Sequence, residues 1–120
     1  MGRVVHFEIT ANDMKRAKKF YETFGWKIED SGMEGTDYQL AKTGEDSIGL
    51  DGAIMPKEYN PQPAILWISV DDLDDMLGKV VIAGGKTVGE RHSIPGIGET
   101  VYIEDTEGNT VGLIQSAPIE

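Results

Sequence analysis

The feature that most restricts the fold of this 120-residue chain is an internal repeat. Superposed at an offset of 59, Ile9 meets Ile68, Thr10 meets Ser69, Asp13 meets Asp72, Met14 meets Leu73 and Gly25 meets Gly84. Further along, Ser47-Ile-Gly-Leu50 matches Thr110-Val-Gly-Leu113 at an offset of 63, which implies a loop four residues longer in the second half. Self-similarity at such a period marks a duplicated supersecondary unit. Neither copy can bury the face of a four-stranded sheet alone, so the two halves, or halves of two chains, must cover one another.

The local patterns agree with duplication. Residues 4–10 alternate Val5, Phe7 and Ile9 against His6, Glu8 and Thr10, the period-2 signature of a strand with two different faces. A helix follows, capped by Asn12 or Asp13, with Met14, Ala17, Phe20, Tyr21 and Phe24 at helical spacing and Gly25 as its stop. Short strands are expected over 26–29, 36–41 and 47–53. Pro56, Asn60, Pro61 and Pro63 make roughly 54–63 a connector. The pattern then restarts, with a strand over 64–70 and a helix capped by Asp71 or Asp72 that carries Leu73, Met76, Leu77 and Val80 and ends at Gly84-Gly85. Strands over 86–88, 99–104 and 110–115 complete the second β-α-β-β-β unit. One domain over 1–120 is expected, with modules at 3–54 and 64–116.

Composition narrows the function. With 39% hydrophobic residues an apolar core is available. A formal charge of -10, from 21 acidic and 11 basic residues, disfavours nucleic acid and anionic membrane surfaces as partners. No apolar run approaches the roughly 20 residues of a spanning helix, and Glu8 interrupts any signal-peptide core, so a cytoplasmic protein is expected. The absence of cysteine removes thiol nucleophiles, disulfides and zinc fingers, so any metal would need His, Asp or Glu.

A tandem β-α-β-β-β duplication of this length resembles the vicinal oxygen chelate superfamily of glyoxalases, bleomycin-resistance proteins and extradiol dioxygenases. The carriers are His6 seven residues before Asp13, Arg16-Ala17-x-x-Phe20-Tyr21 running into Phe24-Gly25-Trp26, Val70-Asp-Asp-Leu73, Gly84-Gly85, and Asp105-Thr-Glu-Gly-Asn109 before the last strand. Ile94-Pro-Gly-Ile-Gly98 and Val111-Gly-Leu-Ile-Gln115 look like a glyoxalase-like branch. The resemblance implies an α+β fold in which tandem βαβββ modules form a cup-shaped, partly open eight-stranded β-barrel with helices outside. It also implies a divalent metal bound by one side chain from the first and one from the last strand of each module. These positions map to His6, Gly49, Ile65 and Gly112, of which only His6 can bind a metal. One histidine does not repay the dehydration of a hard divalent ion.

His6 and Glu8 share a strand face about 7 Å apart. They read either as a ligand-binding or acid–base pair, with Glu8 raising the pKa of His6 and orienting its ring, or as a satisfied buried pair. A site rebuilt from His6, Glu8 and Asp51 is the one route to a metal. Trp67, the repeat counterpart of Glu8, would share a face with Ile65 and Ser69 and offer a stacking surface for a flat ligand, or simply pack in the core. Gly49 and Gly112 either ease strand bending or enlarge the cup by removing side chains. His92 falls in a loop over 89–97, and the acidic run Asp71, Asp72, Asp74 and Asp75 suits a helix N-terminus.

These readings converge on a metal-independent small-molecule binding protein with no cofactor, its ligand held by His6, Glu8, Asp51, Ile65, Trp67 and Ser69. The alternative is a glyoxalase-like lyase, isomerase or dioxygenase in which His6 and Glu8 are the catalytic candidates and any metal has unorthodox ligands. An interaction module using the acidic surface is a third class. The resemblance also implies a homodimer.

Overall fold

The computed structural model describes residues 2–45 and 48–117. The chain is α+β and runs β1 (Val4–Ala11), α1 (Met14–Glu22), β2 (Lys27–Asp30), β3 (Gln39–Lys42), β4 (Gly52–Pro56), β5 (Ala64–Ser69), α2 (Leu73–Ile82), β6 (Lys86–Ile94), β7 (Gly98–Glu104) and β8 (Thr110–Ser116). It divides into two compact units, His6–Ile65 and Met1–Val5 with Leu66–Glu120.

In the His6–Ile65 unit, β1 pairs in parallel with β4, β4 antiparallel with β3, and β3 antiparallel with β2. The alternation of β1 turns Ile9 and Ala11 toward α1. There Ala11, Ile28, Ala41 and Ile54 form a buried cluster, covered by Met14, Ala17, Tyr21 and Trp26. Asp13 caps α1 by accepting from the Arg16 amide at 3.0 Å, and Gly25, at φ +83°, follows the last turn. The helical stripe read from the sequence is only partly a core stripe: Phe20 and Phe24 are 59% and 63% exposed.

The second unit repeats the plan. Strand β5 pairs in parallel with β8, and β8 and β6 flank β7 antiparallel. Asp72 caps α2 through the Asp75 amide at 3.1 Å, and Gly84 sits at φ +101°. Val70, Leu73, Val101, Ile103 and Leu113 make its core, with Ile68, Met76, Leu77, Val80 and Val111 packed against it.

Three expectations are corrected. The last strand of the first module is not 47–53 but Gly52–Pro56, and Ser47 lies outside the described residues. Pro56 closes that strand opposite Ala11, a position where its missing N–H costs little, so 54–56 belongs to the sheet and not to the connector. The expected loop over 89–97 is largely strand, because β6 runs through a bulge between Val88 and His92 as far as Ile94, and the reversal is confined to 95–97.

The registers also correct the repeat. Glu29 faces Leu40, Leu40 faces Ala53 and Ala53 faces Glu8; in the copy, Val88 faces Tyr102, Tyr102 faces Gly112 and Gly112 faces Trp67. The offset is therefore 59 at Glu8/Trp67 and Glu29/Val88, 62 at Leu40/Tyr102, and 59 again at Ala53/Gly112. Two loop-length differences cancel, so Ala53, and not Gly49, is the counterpart of Gly112.

Candidate ligand-binding site

Opposite α1, the first unit gathers the polar residues that alternation assigns to the other face of β1. His6 Nε2 lies 2.8 Å from the Tyr38 hydroxyl, and the two rings stack with centroids 6.4 Å apart. Glu8 is 2% exposed in the middle of the strand, beside Ala53. Asp51 stands at the entrance to β4, where its Oδ1 accepts from the Thr43 amide at 2.9 Å and from the Thr43 hydroxyl.

His6 feels both carboxylates, yet its pKa lies below the ordinary histidine value of 6.5, because burial outweighs the upward pull of Glu8 and then of Asp51. The expected upward pull of Glu8 is present, but the larger cost of desolvation makes the net shift downward. A neutral imidazole beside a phenol can accept or donate one hydrogen bond, according to its tautomer.

The second unit is chemically unlike the first at equivalent positions. Trp67, 8% exposed, packs on Tyr102 with ring centroids 5.0 Å apart. Its indole lies directly over Gly112, where a Cβ would stand 2.2 Å from Trp67 Cδ2. Gly112 therefore does not enlarge a cavity; the indole fills the space its side chain would take. Ser69 is tied to the chain start, donating from its amide to the Arg3 carbonyl and accepting from the Gly2 amide at 2.8 Å. Ile65 is fully buried at the end of the first unit.

The structure thus brings together His6, Glu8 and Asp51, while Trp67 and Ser69 belong to the other unit. Gly49 precedes β4, and a Cβ added there would meet only the Thr43 hydroxyl, at 4.0 Å. His92 is a strand residue opposite Thr100 and so shares a face with Tyr102. Tyr38 and Tyr102 were missed in the sequence. Tyr38 has the same parity as Leu40, but it precedes β3 and had no periodic signal of its own.

The chemistry of the donor set does not fit the divalent ion that the resemblance implies. With the corrected register the four positions are His6, Ala53, Ile65 and Gly112, and three of them carry no donor atom. Among the described residues no three His, Asp or Glu side chains converge to hold an ion.

Residues 3–113 match the family model described as the Glyoxalase/Bleomycin resistance protein/Dioxygenase superfamily. The chain belongs to this superfamily. It is 33% identical over 115 residues to a glyoxylase-like domain-containing protein of Didymella fabae, covering 91% of this chain and 90% of that one. It is 31% identical over 114 residues to CFP32 of Mycobacterium bovis, but spans only 44% of that relative's length. Among solved structures, methylmalonyl-CoA epimerase from Mycobacterium tuberculosis superposes with a TM-score of 0.68 at 20% identity, over 98% of this chain and 89% of that one. A Bacillus halodurans protein of unassigned function gives 0.71 at 12% identity, over 99% and 97%. At these identities the two structures establish the superfamily fold and nothing finer.

Proposed function

We propose that this superfamily member is a metal-independent small-molecule binding protein of the glyoxalase/bleomycin-resistance type. The observation that carries the reading is a half-buried His6, its pKa held down by desolvation, hydrogen-bonded to Tyr38 and sharing a sheet face with Glu8, in a chain where three of the four inherited ligand positions carry no donor. Such a face recognises a ligand by hydrogen bonds: the imidazole and phenol serve a carbonyl or hydroxyl, and Glu8 and Asp51 serve donors or positive charge. Ile65 lines the same unit, and Trp67 with Ser69 supplies an aromatic surface in the other.

A second reading, a glyoxalase-like lyase, isomerase or dioxygenase, draws support from one observation. A neutral imidazole is a competent proton acceptor near pH 7, and His6 is held neutral by burial. Several solved structures of the same fold are named as epimerases, which fits the isomerase form of this reading.

The test is a screen of flat carbonyl and aromatic compounds by calorimetry, with amide chemical shifts to locate any binder. A binder should give a saturable isotherm with shifts at His6 and Tyr38, and His6→Ala should weaken it by about tenfold or more, the loss of one or two hydrogen bonds. Ligands that bind equally well to His6→Ala would remove the His6 face from recognition. Turnover of a bound compound that vanishes in His6→Ala would establish the second reading instead.

A further inference from the structure

We infer that a groove between α1 and the C-terminal end of β1 binds small aromatic carboxylates. The groove has a volume of about 370 Å³, within the range of small-molecule sites, and Ile9, Ala17, Phe20 and Tyr21 form its apolar wall while Arg16 and Lys57 supply charge.

Both cations that line the groove lack a carboxylate partner among the described residues. Lys42, Lys79, Lys86 and Arg91 are each paired with carboxylates. Neither Arg16 nor Lys57 forms an ion pair among the described residues, in a chain with nearly twice as many acids as bases. Lys57 is also held in place. Its half-buried ammonium donates to the Thr10 hydroxyl at 3.3 Å, and Thr10, 7% exposed, passes its own proton to the Gln62 carbonyl at 2.9 Å. Thr10 is therefore an oriented acceptor that uses one of three ammonium N–H groups and leaves the others to an incoming anion. Asp13 also lines the groove; its Oδ1 caps the Arg16 amide, and its carboxylate forms no ion pair with Arg16 or Lys57.

The wall sets the rest of the ligand. Phe20 stands edge-on to Tyr21, with centroids 5.1 Å apart, and stays 59% exposed. An exposed aromatic ring beside two unpaired cations suits a molecule with a flat apolar body and one negative end, and a carboxylate matches the guanidinium fork of Arg16 as well as the Lys57 ammonium.

The test titrates the full chain with 2-naphthoate, and with 2-naphthamide as its uncharged counterpart, followed by amide chemical shifts and calorimetry. Naphthoate should bind with shifts centred on Ala17, Phe20 and Tyr21, and naphthamide should bind at least about tenfold more weakly. Lys57→Gln should cost naphthoate about tenfold, and Arg16→Gln, a change at an exposed helix position that leaves the fold alone, several-fold. Equal binding of acid and amide, no binding of either, shifts centred on His6 and Tyr38, or unchanged affinity in both variants would each overturn the inference. Because no step uses His6, failure here leaves the proposed function standing, and the reverse holds too.

Discussion

The two βαβββ units share topology, capping and register, yet their equivalent sheet faces carry opposite chemistry. Where the first has Glu8 beside Ala53, with Tyr38 and His6 hydrogen-bonded near them, the second has Trp67 over Gly112, with the Tyr102 ring packed at a tilt against it. A duplicated backbone needs only its apolar face conserved to fold. Ile9 and Ile54 in one copy, and Ile68 and Leu113 in the other, keep the helix-facing side apolar. The opposite side was then free to diverge, one half toward hydrogen bonding and the other toward aromatic contact.

The comparison is broken most forcefully at the glycines. Gly112→Ala would drive a methyl into the indole of Trp67, while the same change at Gly49 meets open space. The first should lower stability by about 2 kcal/mol, the cost of overpacking a well-filled site, read as a fall of several degrees in Tm and a changed near-UV spectrum. Gly49→Ala should shift Tm by less than about one degree. Equal effects at the two positions would mean that the indole does not occupy the Gly112 space.

The acid–base difference comes next. His6 has a folded-state pKa below its unfolded one, so between those values the unfolded chain binds more protons and stability rises with pH. Its unfavourable contribution is absent well above pH 6.5, grows as pH falls from about 6.5 toward the folded pKa, and levels off below that. Urea midpoints should therefore drop on acidification from pH 7 to pH 5, and His6→Gln should flatten that slope. An imidazole titration midpoint above 6.5 by NMR would contradict the burial of His6. The smallest effect is expected at the caps, where the units are alike: Asp13→Ala and Asp72→Ala should each cost about 1 kcal/mol in urea unfolding. Markedly unequal losses would show that the helices do not contribute in parallel.

Much of this was legible in the sequence, and the failures have common causes. Asp13, Asp72, Gly25 and Gly84 carry local signals, so both helices could be placed from them. The pair His6 and Glu8 followed from strand parity. The Ser-Ile-Gly-Leu match misled because it paired a segment preceding β4 with a true strand, and only the hydrogen-bond ladders reveal that two loop-length changes cancel at Ala53 and Gly112. Burial was equally hidden: a neighbouring carboxylate argues for a raised histidine pKa, and the desolvation that wins depends on how tightly the face is covered. Tyr38 and Lys57 acquire their roles only through contacts 32 and 47 residues distant in sequence.

At the heart of the proposed function is ligand binding without the divalent metal that the resemblance implies. Metal analysis of protein purified without chelators, paired with thermal unfolding with and without EDTA, tests it most directly. The account predicts well under one equivalent of Ni, Zn, Mn, Fe or Co per chain and a Tm indifferent to EDTA. One tightly held, EDTA-removable divalent ion per chain, with a Tm that falls on its removal, would contradict it.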